Sequence, residues 1–222
     1  MNSDEPHKAH LLPLIRHLST RVTPALLRLP VSANIVTTAS LLTGLSACWY
    51  FAQGTWIDSL IGAGLFVICY ILDNCDGDVA RARNQCSSFG REYDTFVDWL
   101  VHSAFFACLG WGVTAQTGEA YWFWLGMFGA LGGTINYMIA VVMTLRGTGA
   151  AGDIDPGMAD TPESVLDWAV FALRELSRAD FCVIVVGLAV FDVTWILLPT
   201  AAVGAHAYWV AAFYKRARRF HI

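Results

Sequence analysis

The chain has 222 residues, of which 56% are hydrophobic and 14% charged, with a net charge of −4. Soluble domains carry about 25% charged residues. The shortfall coincides with long apolar runs, so an ordinary water-soluble domain is excluded and a polytopic membrane protein is expected; no nucleic-acid partner is expected.

Residues 1–33 carry His7, Lys8, Arg16, Arg21 and Arg28 among leucines and four prolines, with no uninterrupted apolar core followed by small residues. This is not the pattern of a cleavable signal peptide. The stretch 8–29 is expected to form an amphipathic helix lying at the membrane interface. Apolar lengths of ~20 residues then place spans at 34–53, 56–75, 94–114 and 121–145. Residues 146–160 have loop composition, and Thr161-Pro162-Glu163 opens a short surface helix within a cytoplasmic segment at 146–176. The last apolar stretch, 181–214, would make ~50 Å of helix against a hydrocarbon core of ~30 Å. It is interrupted at Asp192-Val193-Thr194. A hairpin of two spans, 177–191 and 195–214, is therefore predicted, with a basic tail at 217–222.

The fold class expected is all-α: six transmembrane helices over 34–216, after an N-terminal surface helix. Charge distribution agrees. With the N-terminus inside, all 14 Lys and Arg fall on the cytoplasmic side, and the predicted outer loops at 53–58, 115–120 and 192–194 contain none. Five spans would put Lys215, Arg216, Arg218 and Arg219 outside. The six cysteines form no CxxC pair, so neither a zinc site nor a disulfide framework is expected. The nine Trp lie mostly near span ends, as an interfacial belt would.

The chemistry concentrates at 73–98. Asp73, Asp76, Gly77 and Ala80 share one helical stripe, and Gly90, Asp94 and Asp98 stack one turn apart on the next helix. Two antiparallel helices could aim four carboxylates into one space. Each acid is costly in a membrane, and the four would repel one another. Divalent cations relieve both costs, and oxygen ligands without clustered His or Cys favour Mg2+ or Mn2+, held by Asp73, Asp76, Asp94 and Asp98. Gly77 and Ala80 leave the helix face bare for a phosphorylated ligand, and Arg81 can meet phosphate with a planar fork. Taken singly, each feature has a plainer explanation as cap, packing contact or flanking charge; the conjunction does not.

The run Asp73-x2-Asp76-Gly77-x2-Ala80-Arg81-x8-Gly90-x3-Asp94-x3-Asp98 resembles the signature of the CDP-alcohol phosphatidyltransferase family at all eight fixed positions over 26 residues. Motif-grade similarity is confined to that run; the six-helix layout is a looser likeness over residues 11–214. The segment Val31-Ser32-Ala33-Asn34-Ile35-Val36-Thr37 looks like the family's Thr-Pro-Asn-x-x-Thr, with Ala33 at the proline position. The resemblance implies that Asp73, Asp76 and Asp94 hold two metal ions and that Asp98 is the general base. It implies a nucleotide site at Asp73, Asp76, Gly77, Ala80, Arg81 and Gly90, with Asn34 as a further candidate. It also implies a CDP-alcohol donor, an alcohol acceptor, CMP as product, a homodimer and membrane lipids as partners. The localisation expected is an integral membrane protein, in the cytoplasmic membrane if bacterial, with both termini and the site on the cytoplasmic side.

Arg146, Arg174 and Arg178 could form an acceptor pocket. His102, one turn beyond Asp98, could orient it, although such a histidine is more often packed. Asp78 lies off the metal stripe and is expected to meet solvent or a cation; Glu92 is a further acid nearby. The donor most in keeping with the resemblance is CDP-diacylglycerol, in phospholipid synthesis; a CDP-polyol or CDP-aminoalcohol is the alternative. An Asp-rich intramembrane prenyltransferase would need two separate motifs, and a transporter would place acids near mid-bilayer, often in two related halves.

Overall fold

A computed structural model describes residues 14–145 and 180–206. The expected surface helix at 146–176, the cations Arg146, Arg174 and Arg178, and the basic tail lie outside them. The described residues are helical, with no strand. In chain order they form α1 (Leu14–Leu27), α2 (Ala33–Gln53), α3 (Trp56–Ala82), α4 (Ser88–Thr117), α5 (Tyr121–Leu145) and α6 (Phe181–Val190). A 3-10 turn follows at Thr194–Ile196, and residues 197–206 are helical again. Helices α2 to α5 are each long and apolar enough to cross a membrane. Helix α6, with 10 residues, reaches only ~15 Å by itself.

Local chemistry explains the boundaries. Ser32 opens α2 by accepting from the Ile35 amide, Thr55 opens α3 by accepting from Asp58, and Ser87 opens α4 by accepting from Gly90. Gly54 at φ 78° and Gly118 at φ 75° close α2 and α4 in the left-handed conformation that glycine adopts at little cost. The predicted break at residue 192 is present: Asp192 has φ 57°. Helix α3 continues beyond the expected end at 75 to Ala82, and α4 begins at Ser88 rather than 94. Bilayer thickness sets the minimum length of a span, whereas capping sets where the helix stops, so both helices carry an extra polar stretch beyond the apolar run.

Helix α2 packs on α3 and α4, α4 on α5, α1 on α3, and α3 on α6. The core is aromatic. Phe66 stacks on Phe105 with ring centroids 4.9 Å apart, and Phe51 and Phe181 meet Phe105 edge-on at 5.0 and 5.8 Å. Without a hydrophobic drive between helices in lipid, close approach depends on small residues. Gly110 and Gly126 supply it where α4 crosses α5: a Cβ on Gly110 would lie 3.1 Å from the Gly126 Cα.

The antiparallel order brings the start of α2, the end of α3, the start of α4 and the end of α5 to one end of the bundle, beside α1. All six described arginines, Arg16, Arg21, Arg28, Arg81, Arg83 and Arg91, are at that end. The exposed Trp49, Trp56, Trp111, Trp124 and Trp195 gather toward the other, as an aromatic belt does. Helix α1 turns Ile15, Ser19 and Thr23 inward and leaves Leu14 and Leu18 exposed. The six cysteines are unbridged.

Candidate active site

The stripe on α3 and the stack on α4 meet as the motif requires. One carboxylate oxygen from each of Asp73, Asp76 and Asp94 lies within 4.8 Å of the others. Asp76 is buried, and Asp73 and Asp94 are half-buried. Among the described residues no Arg or Lys pairs with any of the three; the ion pairs formed are Arg16–Asp78 and Arg81–Asp78. Three converging hard oxygen donors with no Arg or Lys paired to them fit a Mg2+ or Mn2+ site.

Helix α2 supports this cluster. The Thr37 hydroxyl donates to Asp76 Oδ2 at 2.5 Å. Thr37 belongs to the Asn34-to-Thr37 segment noted in the sequence, but its partner could not be read there, because the partner is on another helix.

Asp98, the fourth expected acid, is exposed one turn along α4 from Asp94; the 4.8 Å grouping holds Asp73, Asp76 and Asp94, and Asp98 adjoins it, its charge acting on Asp73. His102 makes no hydrogen bond to the Asp98 carboxylate, although its charge acts on it. Its Nδ1 lies 2.8 Å from the Asp98 backbone oxygen, and its Nε2 lies 2.7 Å from the Tyr70 hydroxyl. A carbonyl can only accept, so Nδ1 carries a proton, and in the neutral imidazole the Tyr70 hydroxyl then donates to Nε2. His102 is thus a strut between α3 and α4, holding in register the two helices that carry the acids.

The residues expected at the nucleotide are mostly brought together. Asn34 Oδ1 lies 3.5 Å from where a Cβ on Gly90 would be, so the start of α2 adjoins the start of α4. Gly77 lies beneath Arg81. Its bare face is covered by the Arg81 guanidinium, whose Nη1 and Nη2 lie 3.4 and 3.5 Å from a Cβ built there. Ala80 is half-buried on the same helix. Asp78 pairs with cations, as expected: its Oδ1 receives Arg81 Nη2 at 2.6 Å and Arg16 Nη2 at 2.9 Å. Glu92 is exposed.

Comparison with known proteins follows this geometry. The sequence pattern of the family described as CDP-alcohol phosphatidyltransferase matches residues 30–205. The chain belongs to this family. All of the described site, from Asn34 to Asp98, falls inside the matched CDP-alcohol phosphatidyltransferase region. Among curated proteins the chain is similar to a "Bifunctional IPC transferase and DIPP synthase" of Thermococcus kodakarensis. The two are 30% identical over 119 residues, which is 54% of this chain and 26% of that protein. A protein of the same description from Aquifex aeolicus is 29% identical over 118 residues, 53% of this chain and 26% of its own length. The similarity thus spans about a quarter of these relatives.

Three residues escaped the sequence reading. Tyr70 sits one turn before Asp73 on α3, where an apolar residue would pack equally well. Asp180 is fully buried and accepts from the Leu14 and Ile15 amides of α1 at 2.8 and 3.0 Å; nothing local signals a partner 166 positions away. Asn136 on α5 has a buried side-chain oxygen with no hydrogen-bond partner among the described residues.

Proposed function

We propose that the protein is a CDP-alcohol phosphotransferase, moving a substituted phosphate from a CDP-alcohol to the hydroxyl of a second alcohol with release of CMP. The observation that carries this reading is the convergence of Asp73, Asp76 and Asp94 within 4.8 Å, with Asp98 one turn further along α4. Asp73, Asp76 and Asp94 are the residues that would hold Mg2+ or Mn2+, two ions by the family resemblance, whose charge would neutralise the diphosphate and the departing CMP. Arg81 reaches the phosphate oxygens with its remaining N–H groups. Asn34 and Gly90, together at the mouth of α2 and α4, border the nucleotide. Asp98 is the general base. Its carboxylate takes the proton of the acceptor hydroxyl as the new O–P bond forms and the bond from phosphorus to the CMP oxygen breaks.

The arginine-rich end of the bundle is read as cytoplasmic. The whole domain, 34–216, is read as six spans completed by the hairpin at 177–191 and 195–214, the enzyme as a homodimer, and residues 1–33 as an interfacial segment. The donor proposed is CDP-diacylglycerol, in phospholipid synthesis. A CDP-polyol or CDP-aminoalcohol is the second reading, favoured by one observation: neither relative's name mentions a diacylglycerol. Arg146, Arg174 and Arg178 are proposed for the acceptor.

The test is a matrix of CDP-alcohol donors against alcohol acceptors with purified protein and Mg2+, read by mass spectrometry. A phosphodiester product accompanied by equimolar CMP supports the reading and names both alcohols. Protein that is folded, metal-supplied and inert across the matrix would sink it.

A further inference from the structure

Asp78 occupies a position that the family signature leaves open, and it sits at a three-way junction. Its Oδ1 holds Arg81 Nη2 at 2.6 Å and Arg16 Nη2 at 2.9 Å, and its Oδ2 lies 3.4 Å from the Thr23 hydroxyl. Arg16 and Thr23 belong to α1, and Arg81 to the last turn of α3. The Asp78 side chain is 16% exposed, whereas those of Arg16 and Arg81 are 42% and 62% exposed. The carboxylate is therefore the enclosed, fixed element of the junction, and the guanidinium groups are the parts that would otherwise wander.

The geometry also leaves Arg81 equipped for a second partner. A guanidinium has five N–H donors in a rigid plane. The bond to Asp78 is made through Nη2, while Nη1 lies over the bare face of Gly77, one residue from Asp76. Fixing one edge of the fork removes side-chain freedom before a ligand arrives, which is how preorganisation raises affinity.

Helix α1 is itself fastened at both ends. Asp180 accepts from its first amides, and Arg83 donates to the carbonyls of Leu27, its last residue, and of Leu29 and Val31 just beyond it. A displacement of α1 would carry Arg16 away from Asp78 and loosen Arg81.

We propose that Asp78 is a positioning residue for the donor diphosphate, and that α1, through the Arg16–Asp78–Arg81 relay, is a structural part of the donor site. This rests on the reading of Arg81 as a phosphate ligand under the proposed function. Asp78 acts through Arg81 and makes no contact of its own with substrate.

The experiment is steady-state kinetics on the full chain in detergent, with Mg2+ saturating and the active donor–acceptor pair. Asp78→Asn is expected to raise the donor KM about tenfold, as loss of a charge-assisted hydrogen bond does. The acceptor KM and kcat should stay within about twofold, since a group that acts on donor binding alone leaves the later steps untouched. Arg16→Gln should move the donor KM in the same direction by a smaller factor, and Asp78→Glu should restore part of the loss. In an Arg81→Ala background, Asp78→Asn should add nothing, because the two residues act in series. If Arg81→Ala raises the donor KM but Asp78→Asn does not, or if the two effects multiply, the relay is wrong and Arg81 keeps its role. If Arg81→Ala leaves the donor KM unchanged, the reading of Arg81 falls, and the relay with it. Should Asp78→Asn fail to give monodisperse protein, Arg16→Gln, altered at the more exposed partner, decides: an unchanged donor KM overturns the relay.

Discussion

At the residue scale the site is a division of labour among acids that look alike in the sequence. Asp73, Asp76 and Asp94 converge, Asp98 stands one turn off, Asp78 binds arginine, and Asp180 caps a helix more than a hundred residues away. Removing the Thr37 hydroxyl should weaken the cluster without touching a ligand atom. We expect Thr37→Val to raise the Mg2+ concentration for half-maximal activity by ~10–100-fold, as loss of an outer hydrogen bond to a ligand carboxylate does, with activity recovered at high Mg2+. A metal titration of wild type and variant checks this. Helical spacing was enough to bring the four acids forward as candidates, because i, i+3 and i, i+4 relations are local; the base role of Asp98 is what the family resemblance implies. It could not assign Thr37, Tyr70 or the Arg16–Asp78 pair, because each depends on which face of another helix arrives opposite. Gly77 shows the same limit: periodicity revealed a bare patch but not that Arg81 folds across it.

At the element scale, two contacts decide whether the catalytic helices stand where they do. The α4–α5 crossing has no room for a side chain, since a Cβ on Gly126 would meet the Phe106 carbonyl and the Gly110 backbone. Gly126→Val should lower stability by about 1–3 kcal/mol, the usual cost of overpacking, and shift thermal unfolding in detergent downward. Ala at the exposed Gly187, where a Cβ meets nothing, should leave it unchanged. The start of α1 is held by one carboxylate: Asp180→Ala leaves two helix-start amides without their acceptor and should cost about 0.5–2 kcal/mol. Limited proteolysis should then cut near α1 at protease concentrations that spare wild type. The starts of α2 and α3 and the ends of α2 and α4 were readable from apolar length, to within about three residues. The extension of α3 to Ala82 was not, because apolar length marks where a helix leaves lipid and says little about where it ends.

At the scale of the whole molecule, the arrangement is a bundle with one charged end and one tryptophan-rich end. The native Cys86, exposed in the α3–α4 turn, reports which end faces the cytoplasm, since Cys48, Cys69, Cys75 and Cys182 are buried. In sealed, right-side-out vesicles a membrane-impermeant maleimide should label Cys86 only after the membrane is opened, with Cys86→Ser as the control. A cysteine introduced at Glu119, in the opposite turn, should be labelled without opening. The sequence leads to the same expectation from the positions of 14 Lys and Arg, because insertion follows charge in short loops. The identity of the two alcohols was not visible, because the signature describes the diphosphate and metal end of the reaction and leaves the acceptor side unspecified. The central claim, that acids gathered at the charged end transfer phosphate with loss of CMP, is tested most directly by CMP release. Purified wild-type protein with its donor, its acceptor and Mg2+ should release CMP in step with product. Chelation should stop the release reversibly, and Asp98→Asn should slow it by ~10²–10⁴-fold. An Asp98→Asn protein that releases CMP and forms product at the wild-type rate would contradict the account.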